Sequence, residues 1–253
     1  MYLIILLYRV LFLFCILATE IRVQSIHRIE VVIARYNEDI SHLNWLSEFP
    51  HVIYNRGEEE VPASAGKSLT IINQYENVGR ESFIYLNHIL HHFHHLANVT
   101  IFSQTCHDKK DPLNYDDNDF QETVRGFVNG TLSLNELNDG FAYLLPVCFN
   151  WQFAVSGWGF ERDNYFKNLY NFEVPQPRFA PTGAFAITRE LILRQPKSYY
   201  ANIIRTLSTE NSPRIGHFFE RTWSELFHSR CCAERDYYCH TGNVPSNTCH
   251  NYG

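Results

Sequence analysis

Short apolar segments rich in β-branched residues alternate with helical patterns along this chain, and the alternation restricts the folds open to it. Ile29 to Ala34 reads IEVVIA, and similar short runs occur at His51 to Tyr54, Leu69 to Ile72, Asn98 to Phe102 and Phe185 to Ile187. Mostly apolar runs of this length are typical of strands buried on both faces. Strands that alternate with helices predict an α/β fold, with a mostly parallel central sheet flanked by helices in one domain.

The clearest helical pattern runs from about Arg80 to Leu96, where apolar side chains recur three and four residues apart on one face. Further helices are expected just after Asp39, at 120–128, near Glu190, after Pro196 and at 216–228. Apart from the helix at 120–128, we expect residues 109–150 to be irregular.

The N-terminal residues are typical of an export signal and not of the fold. Residues 1–18 are almost entirely apolar with Arg9 as their one charge, and small residues suited to cleavage stand at Ala18 and Ser25. We therefore predict a signal peptide over 1–25, an α/β domain over 29–228 and a tail over 229–253. Cleavage would leave no stable membrane span and place the protein outside the cell or in the secretory-pathway lumen. The alternative is an uncleaved type II anchor in the Golgi.

Cysteine usage fits the same compartment. Six cysteines remain after residue 25, an even number that suggests up to three disulfides: Cys106, Cys148, Cys231, Cys232, Cys239 and Cys249. Zinc binding by the cysteines and histidines of the tail is the alternative, although no C-x-x-C pair is present. Asn98 and Asn129 each begin an Asn-x-Thr glycosylation sequon.

Charge and missing motifs exclude several classes of function. The formal net charge is −6, so there is no basic surplus for a phosphate backbone and nucleic-acid binding is not expected. The G-x-S-x-G, H-E-x-x-H, P-loop and G-x-G-x-x-G motifs are absent from the sequence, which argues against serine hydrolases, zincins, nucleotide hydrolases and dinucleotide dehydrogenases.

Polar residues that follow the predicted strands are the candidates for a site, because ligands of parallel sheets bind at the carboxyl ends of the strands. Arg35, Asn37 and Glu38 follow the first strand and suit a base or ribose. Their alternative is a solvated turn in which Asn37 or Asp39 caps the next helix. Asn55 to Gly57 follow the second strand and form a turn signal.

Two further segments are candidates for a phosphate and a metal. Asn77, Gly79 and Arg80 open a helix, where a close backbone approach and a guanidinium suit a diphosphate or a carboxylate. Gln104, with His107 and Asp108, suits a divalent cation, manganese or magnesium, bound to phosphate oxygens. The literal D-x-D at 117–119 follows no apolar strand, and we expect it on a solvated loop.

Five histidines lie between residues 88 and 95. The spacing of His88, His91, His92 and His95 places four of them on one helical face, a pattern that suits a transition metal. This face lies opposite the apolar stripe, so we interpret it as a solvated polar face.

Four segments, in order, resemble a family catalogued as domain of unknown function 3431, and the last predicted helix resembles its closing segment. They lie at 31–39, 54–57, 77–81, 183–190 and 216–223, so the resemblance spans about 30–227. Family members usually carry Phe-x-Gln-Gly with a His or Asp shortly after, whereas this chain has Phe102, Gln104 and Thr105 in that pattern.

A more remote resemblance is to nucleotide-sugar glycosyltransferases of the A-type fold, and it implies a possible glycosyl transfer from a nucleotide sugar. In such enzymes an acidic strand-end motif holds manganese against the diphosphate. The resemblance implies catalytic roles for Asp108 and Glu220, the latter as a base near the acceptor, and a place in the pocket for Arg189.

Two alternatives remain open. The first is a non-catalytic secreted glycan-binding protein, which the missing strand-end D-x-D and the aromatic residues Tyr143, Trp151 and Trp158 favour. The second is a structural domain in which Arg80, Glu81, Glu220 and Arg221 form an internal ion network.

Overall fold

A six-stranded sheet organises the fold. The computed structural model describes residues 29–61, 69–73, 77–105, 117–132, 140–144, 183–208, 216, 219 and 222–228. The strands are β1 (Ile29–Arg35), β2 (His51–Asn55), β3 (Ile71–Asn73), β4 (Val99–Gln104), β5 (Phe141–Tyr143) and β6 (Phe185–Thr188). Their order across the sheet is β3-β2-β1-β4-β6-β5.

Five of these strands run in the same direction. β1 pairs in parallel with β2 and β4, and β3 pairs in parallel with β2. β6 is antiparallel to both β4 and β5. The expected mixed α/β architecture with a mostly parallel sheet is therefore confirmed.

Helices cover both faces of the sheet. A 3-10 helix spans Ser41–Glu48, followed by α1 (Arg80–His92), α2 (Asp117–Val128), α3 (Arg189–Ile192), α4 (Lys197–Leu207) and α5 (Trp223–His228). One core joins the sheet to α1, α3, α4 and α5, and a second core joins the opposite face to the 3-10 helix and α2. Alternate strand residues enter the two cores, as Val32 and Val31 do in β1.

Phe185 lies at the centre of the first core. Its ring centroid is 5.1 Å from those of Phe141 and Trp223 and 5.2 Å from that of Phe102, and the side chain is fully buried. These contacts join β6 to β5, β4 and α5, so this group of aromatic rings holds the sheet and α5 together.

Several element boundaries differ from those expected. The helix expected over 80–96 ends at His92, since a turn in which the His95 N–H donates to the His92 carbonyl at 2.7 Å follows it. Strand β5 lies in the stretch expected to be irregular, and its three residues are too few to produce a readable period. The D-x-D expected on a loop begins α2, because that helix starts at Asp117.

The interpretation of the histidines as a solvated face is wrong for His88. This side chain is fully buried: its Nδ1 lies 3.0 Å from the Tyr54 hydroxyl and its Nε2 lies 3.5 Å from a Glu30 carboxylate oxygen. A helix that packs on a sheet buries side chains beside its apolar stripe as well as those in it. The buried His88 imidazole therefore contacts polar partners on the sheet, Glu30 on β1 and Tyr54 on β2. Within the described ranges, no group of three His, Cys, Asp or Glu side chains is placed to hold a metal ion.

The export signal, the tail and the six cysteines lie outside the described residues. Among the helices that the structure does describe, none is both long and apolar enough to cross a membrane.

We expect Phe185→Ala to lower the free energy of unfolding by about 3–5 kcal/mol, because it leaves a cavity among several aromatic rings. Leu193→Ala is the control, since Leu193 is 44% exposed, and its change should stay within about 0.5 kcal/mol. Urea denaturation followed by circular dichroism measures both. Equal losses for the two variants would contradict the central place of Phe185 in the core.

Tyr54→Phe tests the buried contact with His88. Burial, and secondarily the Glu30 carboxylate, raise the pKa of the Tyr54 phenol to about 12. Because an unfolded tyrosine ionises near pH 10, the stabilising effect of this hydroxyl is complete below about pH 10 and is lost as the pH rises towards 12. Urea denaturation should therefore show wild type more stable than Tyr54→Phe at pH 8, with the difference shrinking at pH 11. A difference that stays constant would contradict the raised pKa.

Candidate functional site

Polar residues gather where β1, β2, β3 and β4 end, at the edge that we call the carboxyl edge. Arg35, Asn55, Asn73 and Gln104 are the last residues of these four strands. The strand order reverses between β1 and β4, since β2 and β3 lie on one side of β1 and β4 on the other. In open α/β sheets such a reversal opens a crevice at the carboxyl ends of the strands.

Asn55 connects three parts of this edge. Its side-chain amide donates to Asn73 Oδ1 and to the Glu59 carbonyl, both at 2.9 Å, and its Oδ1 accepts from Arg35 and from the Gly57 N–H. The residue is 1% exposed, and its bonds to Arg35 and Gly57 are fully buried, whereas those to Asn73 and Glu59 are partly buried. Asn55 therefore holds the ends of β1, β2 and β3 in fixed positions.

Arg35 is a buried brace of the same edge. Its Nε donates to the Glu38 carbonyl at 2.9 Å, and its Nη1 donates to the Tyr36 carbonyl at 3.2 Å and to Asn55. Burial lowers the pKa of Arg35, and the Glu38 carboxylate opposes this shift. The predicted ligand-binding guanidinium thus makes its hydrogen bonds within the protein and shapes the loop after β1.

Glu38 spans the reversal point between β1 and β4. Its carboxylate accepts from the Tyr36 N–H and from the Thr105 hydroxyl, both at 2.7 Å. The Thr105 N–H also donates to the Ala34 carbonyl at 3.3 Å. Thr105, which stands where the family pattern has Gly, therefore supplies a hydroxyl that ties the end of β4 to the loop after β1.

The turn after β2 packs directly against that loop. A Cβ placed on Gly57 would lie only 1.9 Å from the Tyr36 carbonyl oxygen and from Asn37 Oδ1, so no larger residue fits there. Asn37 is exposed at this contact. Asp39 accepts from the Ser41 N–H and hydroxyl, and these bonds lower its pKa, which matches the interpretation of this residue as part of a solvated turn.

Arg56 belongs to the candidate segment Asn55 to Gly57, to which the sequence analysis gave no role beyond a turn. It is 8% exposed, and its Nε and Nη1 are buried without a hydrogen-bond partner. Burial lowers its pKa, and the nearby Glu81 carboxylate is the largest influence in the opposite direction. The sequence signal for Arg56 was its place in segment 54–57, which resembles the family. The same segment is equally typical of a turn.

The start of α1 completes the edge. Gly79 has a φ of +65° and Arg80 a φ of +55°, the one non-glycine residue with positive φ in the described chain. Arg80 Nε lies 3.5 Å from the buried Glu81 carboxylate. The Arg80–Glu81 pair is one half of the internal ion network expected if the protein is a purely structural domain. The other half, Glu220 and Arg221, lies outside the described residues.

The remaining predicted residues divide into three groups. Gln104 and the half-buried Asn77 lie at or near the carboxyl edge, whereas Arg189 lies at the opposite end of β4, where its N–H donates to the Asn98 carbonyl at 2.9 Å. The structure therefore separates Arg189 from Gln104. His107, Asp108 and Glu220 lie outside the described residues.

The sequence of residues 31–136 matches the model of a family described as "Protein of unknown function (DUF3431)". This match confirms the resemblance for β1 to β4 and α1, which supply most of the carboxyl edge. The resembling segments at 183–190 and 216–223 lie beyond the matched residues. No curated protein matches the chain.

We expect Asn55→Ala to lower the free energy of unfolding by about 2–3 kcal/mol, because it leaves a buried guanidinium short of an acceptor. Asn73→Ala removes one of the same hydrogen bonds from an exposed side chain and should cost less than about 1 kcal/mol. Urea denaturation of both variants at pH 7 measures the difference. Equal losses of stability for the two variants would show that Asn55 does not hold the ends of β1, β2 and β3 in position.

Proposed function

We propose that this protein transfers a glycosyl group from a nucleotide sugar to an acceptor hydroxyl at the carboxyl edge. The observation that carries the proposal is the braced set of polar residues at the strand reversal between β1 and β4. Sheets of this type bind nucleotides at such a reversal, and bracing before the ligand arrives lowers the cost of ordering the site.

The proposed donor lies across the loop after β1 and the start of α1. Asn37 and Glu38 line the nucleotide, with Arg35 holding their loop, and Asn77, Gly79 and Arg80 approach the diphosphate. The acceptor oxygen attacks the anomeric carbon, the bond from that carbon to the diphosphate oxygen breaks, and the nucleoside diphosphate leaves. Glu220 is the proposed base that takes the acceptor proton.

A divalent cation at Gln104, His107 and Asp108 is part of the proposal, with manganese or magnesium as the ion. Carboxylate, amide and imidazole groups suit such an ion, which would stabilise charge on the departing diphosphate. Only Gln104 of this set belongs to the described residues.

The proposed place of action is the secretory pathway or the cell exterior. Asn129 is exposed in the turn after α2, whereas Asn98 is half-buried at the start of β4. Asn129 is therefore the better acceptor for a glycan.

Glycan binding without catalysis is the competing function. Of the aromatic residues that favoured it, Tyr143 packs against the first core and lies 3.3 Å from the Ser224 N–H, which donates to its hydroxyl. Trp151 and Trp158 lie outside the described residues.

Calorimetric titration of the full chain with uridine and guanosine diphosphate sugars, with and without manganese, tests the proposal. We expect Thr105→Val to weaken donor binding about tenfold, because Glu38 loses the hydroxyl that fixes its carboxylate. Thr206→Val is the control, since that hydroxyl bonds the Ile203 carbonyl within α4.

Asp108→Ala should abolish the effect of manganese on donor binding. Absence of binding to every donor, together with no effect of Asp108→Ala, would refute the proposal. Binding of glycans that does not depend on nucleotide would support the competing function.

A further inference from the structure

Arg35 and Arg56 are buried to the same extent at the ends of adjacent strands, but their surroundings differ. Arg35 is 7% exposed and Arg56 is 8% exposed. The guanidinium of Arg35 makes three hydrogen bonds, whereas Nε and Nη1 of Arg56 make none. Burying donors without hydrogen-bond partners is unfavourable in a folded protein, so Nε and Nη1 of Arg56 require an explanation that packing does not supply.

The backbone keeps Arg56 in this position. Its N–H donates to the Arg35 carbonyl at 2.9 Å, and the following Gly57 touches the loop after β1 too closely to move outward. The backbone of Arg56 is thus held at the carboxyl edge, and its buried guanidinium remains charged because arginine keeps its proton in proteins.

The groups around Arg56 lie at the start of α1. Glu81 and Arg80, both in the first turn of that helix, are within electrostatic range of Arg56, as are Tyr85 and Glu38. The N-cap of helix α1 is Gly79, which makes no side-chain cap bond. The positive end of the helix dipole and its backbone N–H groups favour an anion at this point.

A second unpartnered donor lies beside the same carboxylate. The Trp223 side chain is fully buried and its Nε1 has no hydrogen-bond partner. A Cβ placed on Gly183 would lie 3.5 Å from that nitrogen and 3.9 Å from a Glu81 carboxylate oxygen. Glu81 is already paired with Arg80, and Arg56 Nε and Nη1 and Trp223 Nε1 are buried donors without a hydrogen-bond partner.

We propose that Arg56, together with the first turn of α1, binds a phosphoryl group, which in the proposed reaction is the diphosphate of the nucleotide sugar. The identity of the phosphate donor in this inference rests on the proposed function. The phosphoryl-binding site itself does not. The planar guanidinium offers two parallel donors to phosphate oxygens, and an arriving anion neutralises the buried charge.

Arg56→Met and Arg35→Met are matched variants for a stability test of the ligand-free protein, measured as Tm by calorimetry. We expect Arg35→Met to lower the Tm, because it breaks the bonds that brace the edge. Arg56→Met should leave the Tm unchanged or raise it, because it removes a buried charge whose Nε and Nη1 have no hydrogen-bond partner. A fall in Tm as large as that of Arg35→Met, or failure to fold, would show that Arg56 has a structural role and would overturn the inference.

Calorimetric titration with uridine diphosphate, pyrophosphate and uridine tests the binding itself. We expect Arg56→Met to weaken binding of both diphosphates about tenfold or more, and to leave uridine binding unchanged. Arg56→Lys should restore part of the affinity, since it keeps the charge without the planar fork.

The outcomes separate the two proposals. Equal affinity of wild type and Arg56→Met for uridine diphosphate would overturn the inference and leave the proposed function standing. Binding of pyrophosphate but not of uridine diphosphate, dependent on Arg56, would refute the proposed function and assign the site to inorganic phosphate. Failure of wild type to bind either compound would overturn both.

Discussion

Strand β1 is the part of the structure on which the rest depends. It is central in the sheet, pairs with β2 on one side and β4 on the other, and from Val31 to Arg35 every residue is buried. Strands β2 and β3 lie on one side of β1, and β4 lies on the other. The end of β1 is therefore also the point where the strand order reverses. The packing that stabilises the domain therefore creates the position of the candidate site.

The guanidinium of Arg35 is buried at the end of β1 because of this strand order. The loop after β1 folds back over the sheet and closes around Arg35, while Glu38 reaches Thr105 across the reversal. These contacts engage Arg35 and Glu38, whereas Asn37 of the same loop stays exposed. Arg56 lies on the neighbouring strand end, outside this set of bonds, and retains unused donors at the start of α1. A rigid edge with one unsatisfied cation is suited to an anionic ligand.

Much of this arrangement was predictable from local patterns. The apolar runs predicted β1, β2, β4 and β6 within one or two residues, because buried strands need continuous apolar sequence. Strand β5 and the end of α1 at His92 were not predictable, since three residues carry no period and the apolar pattern continues past the turn. His88 reads as a surface residue until its partners Glu30 and Tyr54 are placed beside it.

By itself, the sequence determined the α/β class and the segments that would supply polar residues to one edge of a sheet, because periodicity and strand-end position are local properties. It also placed Arg35 and Arg56 in similar contexts, each just after an apolar run. Only the tertiary structure decided that one guanidinium is enclosed by acceptors and the other is not. Hydrogen-bond satisfaction depends on which loops converge from distant parts of the chain, and no local pattern encodes that convergence.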